Sequence, residues 1–215
     1  MQKDIKHVVI IGAGFSGLFA AKKFFGKSVK VTLIDRNNYH TFNPLLYQVG
    51  AAEIEPDQIA YPVRSVIRKK RNIDFLMAEV TEIKFKKRVV VTEKGDVNYD
   101  YLILAPGSKT NYFGIKGAEK NSITLKTLDD ALFLRNHILT LFEKAVKCPD
   151  PEERKKCLTF VIAGGGPTGV EFTGAFAELV HGPLKKDFSE IKLTDVDIRL
   201  IDAGKRILPV YSEKS

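Results

Sequence analysis

Phe160-Val161-Ile162-Ala163-Gly164-Gly165-Gly166-Pro167-Thr168-Gly169-Val170-Glu171 is the stretch from which the rest of the chain can be read. Its apolar first part has the composition of a buried parallel strand. Its second part is a G-x-G-x-x-G turn opening onto a segment with helical spacing of apolar residues. The same pattern is already present about 150 residues earlier, where His7 to Ile11 runs into Gly12-Ala13-Gly14-Phe15-Ser16-Gly17. In each copy the first glycine permits a tight turn from strand to helix. The second lets backbone N–H groups approach a pyrophosphate, and the third lets the helix sit close to the strand. The helix N-terminus adds partial positive charge and unpaired donors for the phosphates. One such motif is a weak signal, whereas two, each with strand, helix and a downstream acid, indicate two dinucleotide sites.

The composition, 44% hydrophobic over 215 residues, suits one large or two small globular domains. No run approaches the roughly 18 apolar residues of a membrane-spanning helix. The first strand begins so near Met1 that no signal or transit peptide is expected, which implies an intracellular protein. The net charge of +8 is concentrated in part at Arg64, Arg68, Lys69, Lys70 and Arg71. Such a run could suit nucleic acid, acidic lipid or an anionic cofactor, but no nucleic-acid motif accompanies it, so it reads as a solvated face and no nucleic-acid partner is expected. Cys148 and Cys157 match neither a C-x-x-C nor a zinc spacing. A flavoenzyme that reduces disulfides needs a reactive cysteine pair, so that class is disfavoured and no metal site is expected.

Along the chain, Leu18, Phe19, Ala21, Phe24 and Phe25 mark the expected buried side of the first helix. Val29 to Ile34 reads as the second strand, closed by Asp35 about twenty residues past the glycines, where a carboxylate accepts from a ribose. Arg36 could meet a 2′-phosphate or stack on adenine. Residues 37–68 read as an apolar loop and short helix laid across a cofactor, with Pro44 and Leu45 offering a flat wall for an isoalloxazine ring. His40 reads most simply as a packed or hydrogen-bonded histidine. Ile73 to Glu79 is a parallel strand feeding a β-meander over about 80–104, whose last strand exits at Ala105-Pro106-Gly107-Ser108. Thr127-Leu128-Asp129-Asp130 opens a long helix with a capping-box pattern. Residues 148–156 read as an exposed linker and 184–193 as a loop or excursion. Val196 to Ile201 is the strand closed by Asp202, whose charge favours NADH over NADPH, a preference that Lys205 and Arg206 could soften. Glu171 is placed in the first turn of the second glycine-loop helix, where a carboxylate complements the helix dipole.

The sequence resembles the type II NADH dehydrogenases, the single-subunit NADH:quinone oxidoreductases. The resemblance is carried by Asp35-Arg36-Asn37-Asn38-Tyr39-His40, Pro44-Leu45-Leu46-Tyr47-Gln48-Val49, Ala60-Tyr61-Pro62 and the Gly-x-x-Gly-Val-Glu ending at Glu171. It implies an α/β fold of two Rossmann-like dinucleotide-binding domains, of the glutathione-reductase type. FAD is then expected on Gly12, Gly14, Phe15, Ser16, Gly17, Asp35, Arg36, Pro44 and Leu45, with Val80 near the adenine and Ala105 and Gly107 touching the cofactor. NADH is expected on Gly164, Gly166, Pro167, Thr168, Gly169, Glu171 and Asp202. The resemblance also implies that Glu171 is catalytic, positioning nicotinamide and handling protons around flavin reduction.

On this reading residues 1–110 form the FAD-binding part, 111–156 a connector with a helix, and 157–215 the NADH-binding part. The resemblance covers the whole chain but only the front half of the family pattern, so a truncated form with both domains incomplete is expected. The family implies a quinone as electron acceptor, a respiratory-chain role and a peripheral place on the cytoplasmic, inner face of the cell membrane. Whether protomers pair as a homodimer is left open. Two other readings compete with this one, a flavin-dependent reductase of a ferredoxin-type protein and a non-catalytic nucleotide-binding fragment.

Overall fold

The computed structural model describes residues 5–212. Strand β1 (His7–Ile11) leads through the first glycine turn into helix α1 (Phe15–Lys23) and strand β2 (Lys30–Asp35). Strand β3 (Tyr39–Thr41), helix α2 (Leu46–Gly50), strand β4 (Ala60–Pro62), helix α3 (Val63–Ile67) and strand β5 (Ile73–Met77) follow. Then come β6 (Val80–Lys84), β7 (Val89–Thr92), β8 (Gly95–Asn98) and β9 (Tyr101–Leu104). Beyond these lie helices α4 (Ala118–Asn121), α5 (Leu128–Lys147) and α6 (Pro151–Cys157), strand β10 (Thr159–Ala163), helices α7 (Pro167–Leu179) and α8 (Lys185–Asp187), and strand β11 (Asp197–Ile201). The chain divides into two compact units. One takes the chain up to Thr41 together with Ile59–Lys109, and the other takes Phe42–Gln58 and everything from Thr110 onward.

In the first unit, β5, β2, β1 and β9 form a sheet in that order, with every pairing parallel. Successive side chains of a strand point to opposite faces. Val8 and Ile10 therefore pack with Leu18 and Ala21 of α1 and Val63 and Ile67 of α3, whereas Val9 and Ile11 pack with Ile34, Ala78 and Val90. Helices cover one face, and the antiparallel meander β6-β7-β8 covers the other. The meander ends at Asn98, not near 104, because β9 leaves it to pair with β1. Residues 37–68 are more ordered than a loop and one helix, since β3 pairs with β4 as a ribbon. Phe19 is 60% exposed, not buried. It stands two residues past the inward-facing Gly17, about 200° around the helix, and Lys22 Nζ lies 5.3 Å from its ring centroid.

In the second unit, β10 and β11 pair in parallel, and α5, α7 and the following turns pack into one apolar cluster. Phe142, Phe172 and Phe176 form its centre, with Phe160 edge-on to Phe176 at 4.8 Å. The helix expected in a connector supplies Leu128, Ala131, Ile138, Phe142 and Ala145 to the buried interior. Residues 148–156 are not a plain linker but lead into α6. Asp150 caps α6 by accepting from the N–H groups of Glu152 and Glu153, with Pro151 at its first position. The expected excursion at 184–193 begins as helix, because α7 continues through a π-turn at Val180–Leu184 into α8, and then runs as turn and bend over residues 188–192. Val180, Leu184 and Ile191 anchor it by being buried. Among the described residues, no helix is long and apolar enough to cross a membrane, and no cluster of His, Cys, Asp or Glu could hold a metal ion.

Candidate functional site: two glycine cradles

The two glycine turns share one set of contacts. At the end of β1, the Gly12 N–H donates to the Ile34 carbonyl at 2.7 Å, and at the end of β10 the Gly164 N–H donates to the Ile201 carbonyl at 2.8 Å. Both glycines have positive φ, +100° and +116°, a region open to glycine and costly for residues with a Cβ. At the third glycine, a Cβ on Gly17 would lie 1.7 Å from the Gly12 carbonyl oxygen, and one on Gly169 would lie 1.9 Å from that of Gly164. At the middle glycine the backbone is open, since a Cβ on Gly14 or Gly166 would meet nothing within 4 Å. A cradle closed beneath by glycine contacts and open above, at a helix N-terminus, has the shape and polarity that an anionic pyrophosphate requires. Both cradles therefore fit a dinucleotide.

The acids at the strand ends are bound into these turns. Asp35 Oδ2 accepts from the Ala13 N–H at 2.6 Å, and its Oδ1 accepts from the Asn37 N–H at 2.8 Å. Asp202 Oδ2 accepts from the Gly165 N–H at 2.7 Å, and its Oδ1 accepts from the Gly204 N–H at 2.6 Å. Each carboxylate thus ties the glycine turn to the strand next to it. The backbone donors of Gly165 and then Gly204 hold the Asp202 carboxyl below the ordinary carboxylate range. An oxygen that has accepted one such bond still has a lone pair for a ribose hydroxyl.

The carbonyls of the same loop residues are held as well. His40 Nδ1 lies 3.0 Å from the Ala13 carbonyl oxygen, with its ring edge-on to Phe15 at 4.8 Å. In the second unit the Leu208 N–H donates to the Gly165 carbonyl at 2.6 Å. Sequence reading reached His40 as a hydrogen-bonded histidine but not its partner, and a backbone donor such as Leu208 leaves no signal in sequence. Arg206 does not project freely beside Asp202, because its guanidinium donates to the Pro209 and Tyr211 carbonyls at 3.2 and 2.9 Å.

Of the other expected site residues, Phe15 and Ser16 start α1 and are exposed, as is Arg36. Val80 begins β6 opposite Thr92. Ala105 follows β9, where its N–H donates to the Ile11 carbonyl and its own carbonyl oxygen would lie 2.0 Å from a Cβ on Gly12. Gly107, at φ +76°, turns the chain after it. Pro44 and Leu45 belong to the second unit, in a 3-10 turn before α2. Pro167 and Thr168 open α7. Glu171 does not fall in the first turn of α7, which holds no acid, but one residue beyond it, exposed on the helix surface. Dipole complementarity therefore accounts for less of its presence than its sequence position suggested. The charge of Glu171 is felt at Tyr47, whose hydroxyl is pushed above its usual pKa by burial first and then by Glu171, Glu53 and Glu178.

With both cradles described, the family follows. The chain belongs to the pyridine nucleotide-disulphide oxidoreductase family, whose pattern matches residues 6–215. Within it, the resemblance to type II NADH:quinone oxidoreductases is borne out. One such enzyme, Ndh of Mycobacterium tuberculosis, is 44% identical over 211 residues, covering 96% of this chain and 46% of its own length. The mitochondrial external alternative NAD(P)H-ubiquinone oxidoreductase B3 of Arabidopsis thaliana is 35% identical over 97% of this chain and 38% of its own. The structure of NDH2 from Plasmodium falciparum in complex with NADH superposes with a TM-score of 0.89 at 32% identity, covering 97% of this chain and 44% of that one. The chain thus spans less than half the length of these relatives. Cys148 and Cys157 are free thiols at the end of α5 and in α6, outside both glycine turns.

Proposed function

We propose that this chain supplies the two nucleotide cradles of an FAD-dependent NADH dehydrogenase that passes hydride from NADH to FAD and then electrons to a quinone. The observation that carries the proposal is the pair of matching cradles, each closed by a carboxylate, in a chain whose relatives are named as NADH:quinone oxidoreductases. FAD is assigned to Gly12, Gly14, Gly17 and Asp35, and NADH to Gly164, Gly166, Gly169 and Asp202. When bound, the flavin supplies the redox chemistry, accepting hydride from the reduced nicotinamide and giving up electrons to the acceptor.

The chain's own residues bind and orient. Glycine-turn N–H groups and the N-termini of α1 and α7 hold the pyrophosphates. Asp35 and Asp202 fix the turns and offer remaining lone pairs to ribose hydroxyls. The ionised Asp202 repels a 2′-phosphate, and the Arg206 guanidinium spends donors on carbonyls of its own loop, so NADH is preferred over NADPH, with Lys205 left to soften the preference. Glu171 is assigned to nicotinamide positioning and proton handling. For the whole protein we assign a quinone as acceptor and a peripheral place on the inner face of the cell membrane, on the strength of the type II relatives.

An anaerobic visible spectrum of the 215-residue chain with added FAD tests the proposal, taken before and after NADH and, separately, NADPH. Flavin bands that travel with the chain on gel filtration and bleach with NADH are expected. A chain that leaves FAD wholly in the small-molecule fraction overturns the assignment of the first cradle, and bleaching by NADPH alone overturns that of the second.

A further inference from the structure

We propose that His40 is a positioning residue for the FAD pyrophosphate, acting through the Ala13 peptide; this rests on the assignment of FAD to the first cradle. Ala13 lies between the first two glycines, and both ends of its backbone are held. Its N–H donates to Asp35 Oδ2 at 2.6 Å, and its carbonyl oxygen lies 3.0 Å from His40 Nδ1. A carbonyl oxygen only accepts, so Nδ1 carries the proton in this contact. The ring is fixed in turn by β3, which pairs with β4 opposite Tyr61, and by its edge-on contact with Phe15 at the start of α1.

The consequence lies one atom further along the chain. In a trans peptide the C=O and the following N–H point in opposite directions across one rigid plane. Drawing the Ala13 carbonyl toward His40 therefore aims the Gly14 N–H the other way, and the backbone at Gly14 is open, since a Cβ there would meet nothing within 4 Å. The second cradle shows the same device built from backbone, with the Gly165 N–H held by Asp202 and its carbonyl by the Leu208 N–H at 2.6 Å. Two turns of different sequence, each with its central residue held at both ends, indicate that the plane of the following peptide matters to the cradle. In the first, a side chain does the holding, and it can be replaced.

The test titrates FAD into the full chain and into His40→Ala and His40→Asn, following flavin fluorescence and the ³¹P resonances of bound pyrophosphate. Losing one neutral hydrogen bond predicts FAD binding weakened about fivefold to tenfold in His40→Ala, with the resonances moving toward those of free FAD. His40→Asn, whose amide restores a donor, keeps affinity within about twofold and the resonances in place. NADH affinity, read at the second cradle, is unchanged in both. Unaltered FAD affinity and resonances in His40→Ala overturn the inference, and so does an Asn variant as weak as Ala, which would mean that only ring packing counts. Should His40→Ala lose NADH binding through unfolding, the Asn variant decides. If the unsubstituted chain holds no FAD, the functional reading fails, and ADP, which carries a pyrophosphate, becomes the probe for the same comparison.

Discussion

Gly169 lies directly over the carbonyl of Gly164, so that a Cβ on Gly169 would stand 1.9 Å from that oxygen. The Gly164 oxygen belongs to backbone tied to the end of β11 through the Gly164 N–H, and the Cβ would be fixed to the backbone of α7, so neither can swing aside like the end of a long side chain. Gly169→Ala must therefore push α7 away from the strand. We expect a loss of about 1–3 kcal/mol of stability, the usual cost of overpacking, together with loss of NADH binding. Further along α7, a Cβ on Gly174 would meet nothing within 4 Å. Gly174→Ala is expected to stabilise the chain by about 0.5–1 kcal/mol through helix propensity. Urea unfolding of the two variants checks this, and similar midpoints for both would remove the steric account.

Asp202 links the second cradle to pH. Its folded pKa is depressed by the N–H groups of Gly165 and Gly204, so its stabilising contribution is complete above the ordinary carboxylate pKa of about 4. It is lost as the pH falls from that value through the lower folded one. Asp202→Asn should unfold more easily than the parent at about pH 7, and the gap should close in acid below pH ~4. Melting temperatures of both proteins across that range decide it. A gap that stays constant down to pH ~2 would mean that the charge does not hold the turn.

His7 supplies a second pH test, in milder acid. Its imidazole, with Nε2 2.8 Å from Thr32 Oγ1, is kept below the usual histidine pKa by burial first and by Lys30 second. The folded state therefore resists protonation, and stability contributed by neutral His7 should decline as pH falls below about 6.5 through the lower folded value. Proton NMR of the ring should give a midpoint under that of a model histidine. A midpoint at or above about 6.5 contradicts the burial argument.

The long helix α5 was legible because its signal is local. Thr127 accepts from the Asp130 N–H at 3.1 Å, and the Asp130 carboxylate accepts from the Thr127 N–H at 3.0 Å, as the spacing of the two residues requires. Thr127→Ala should cost about 1 kcal/mol, readable as an earlier denaturation midpoint of the second unit. The strands and glycine turns were legible for the same reason, since strand period and turn chemistry are written in adjacent residues. What escaped were features decided by distant partners. Phe19 looked buried by type, yet its face of α1 meets no neighbour from the core. The 184–193 segment lacked a continuous pattern, but its few apolar residues find a core built by α5 and α7. The clamps on Ala13 and Gly165 depend on His40 and Leu208, residues 27 and 43 positions further on in the chain.

Glu171 separates chemistry from stability. It is exposed beyond the first turn of α7, so Glu171→Gln should change unfolding free energy by no more than about 0.5 kcal/mol. The same substitution removes one of the negative charges that raise the Tyr47 pKa, while the burial that raises it most remains. Tyrosinate absorbance should therefore show Tyr47 ionising at lower pH than in the parent but still above an ordinary tyrosine. If Glu171 handles protons around flavin reduction, stopped-flow bleaching of bound FAD by NADH should slow by about 100-fold or more, with NADH affinity altered far less. A normal bleaching rate beside a shifted Tyr47 would establish that the carboxylate acts on the tyrosine while removing it from the chemistry, and the orientation of nicotinamide would then fall to the cradle alone.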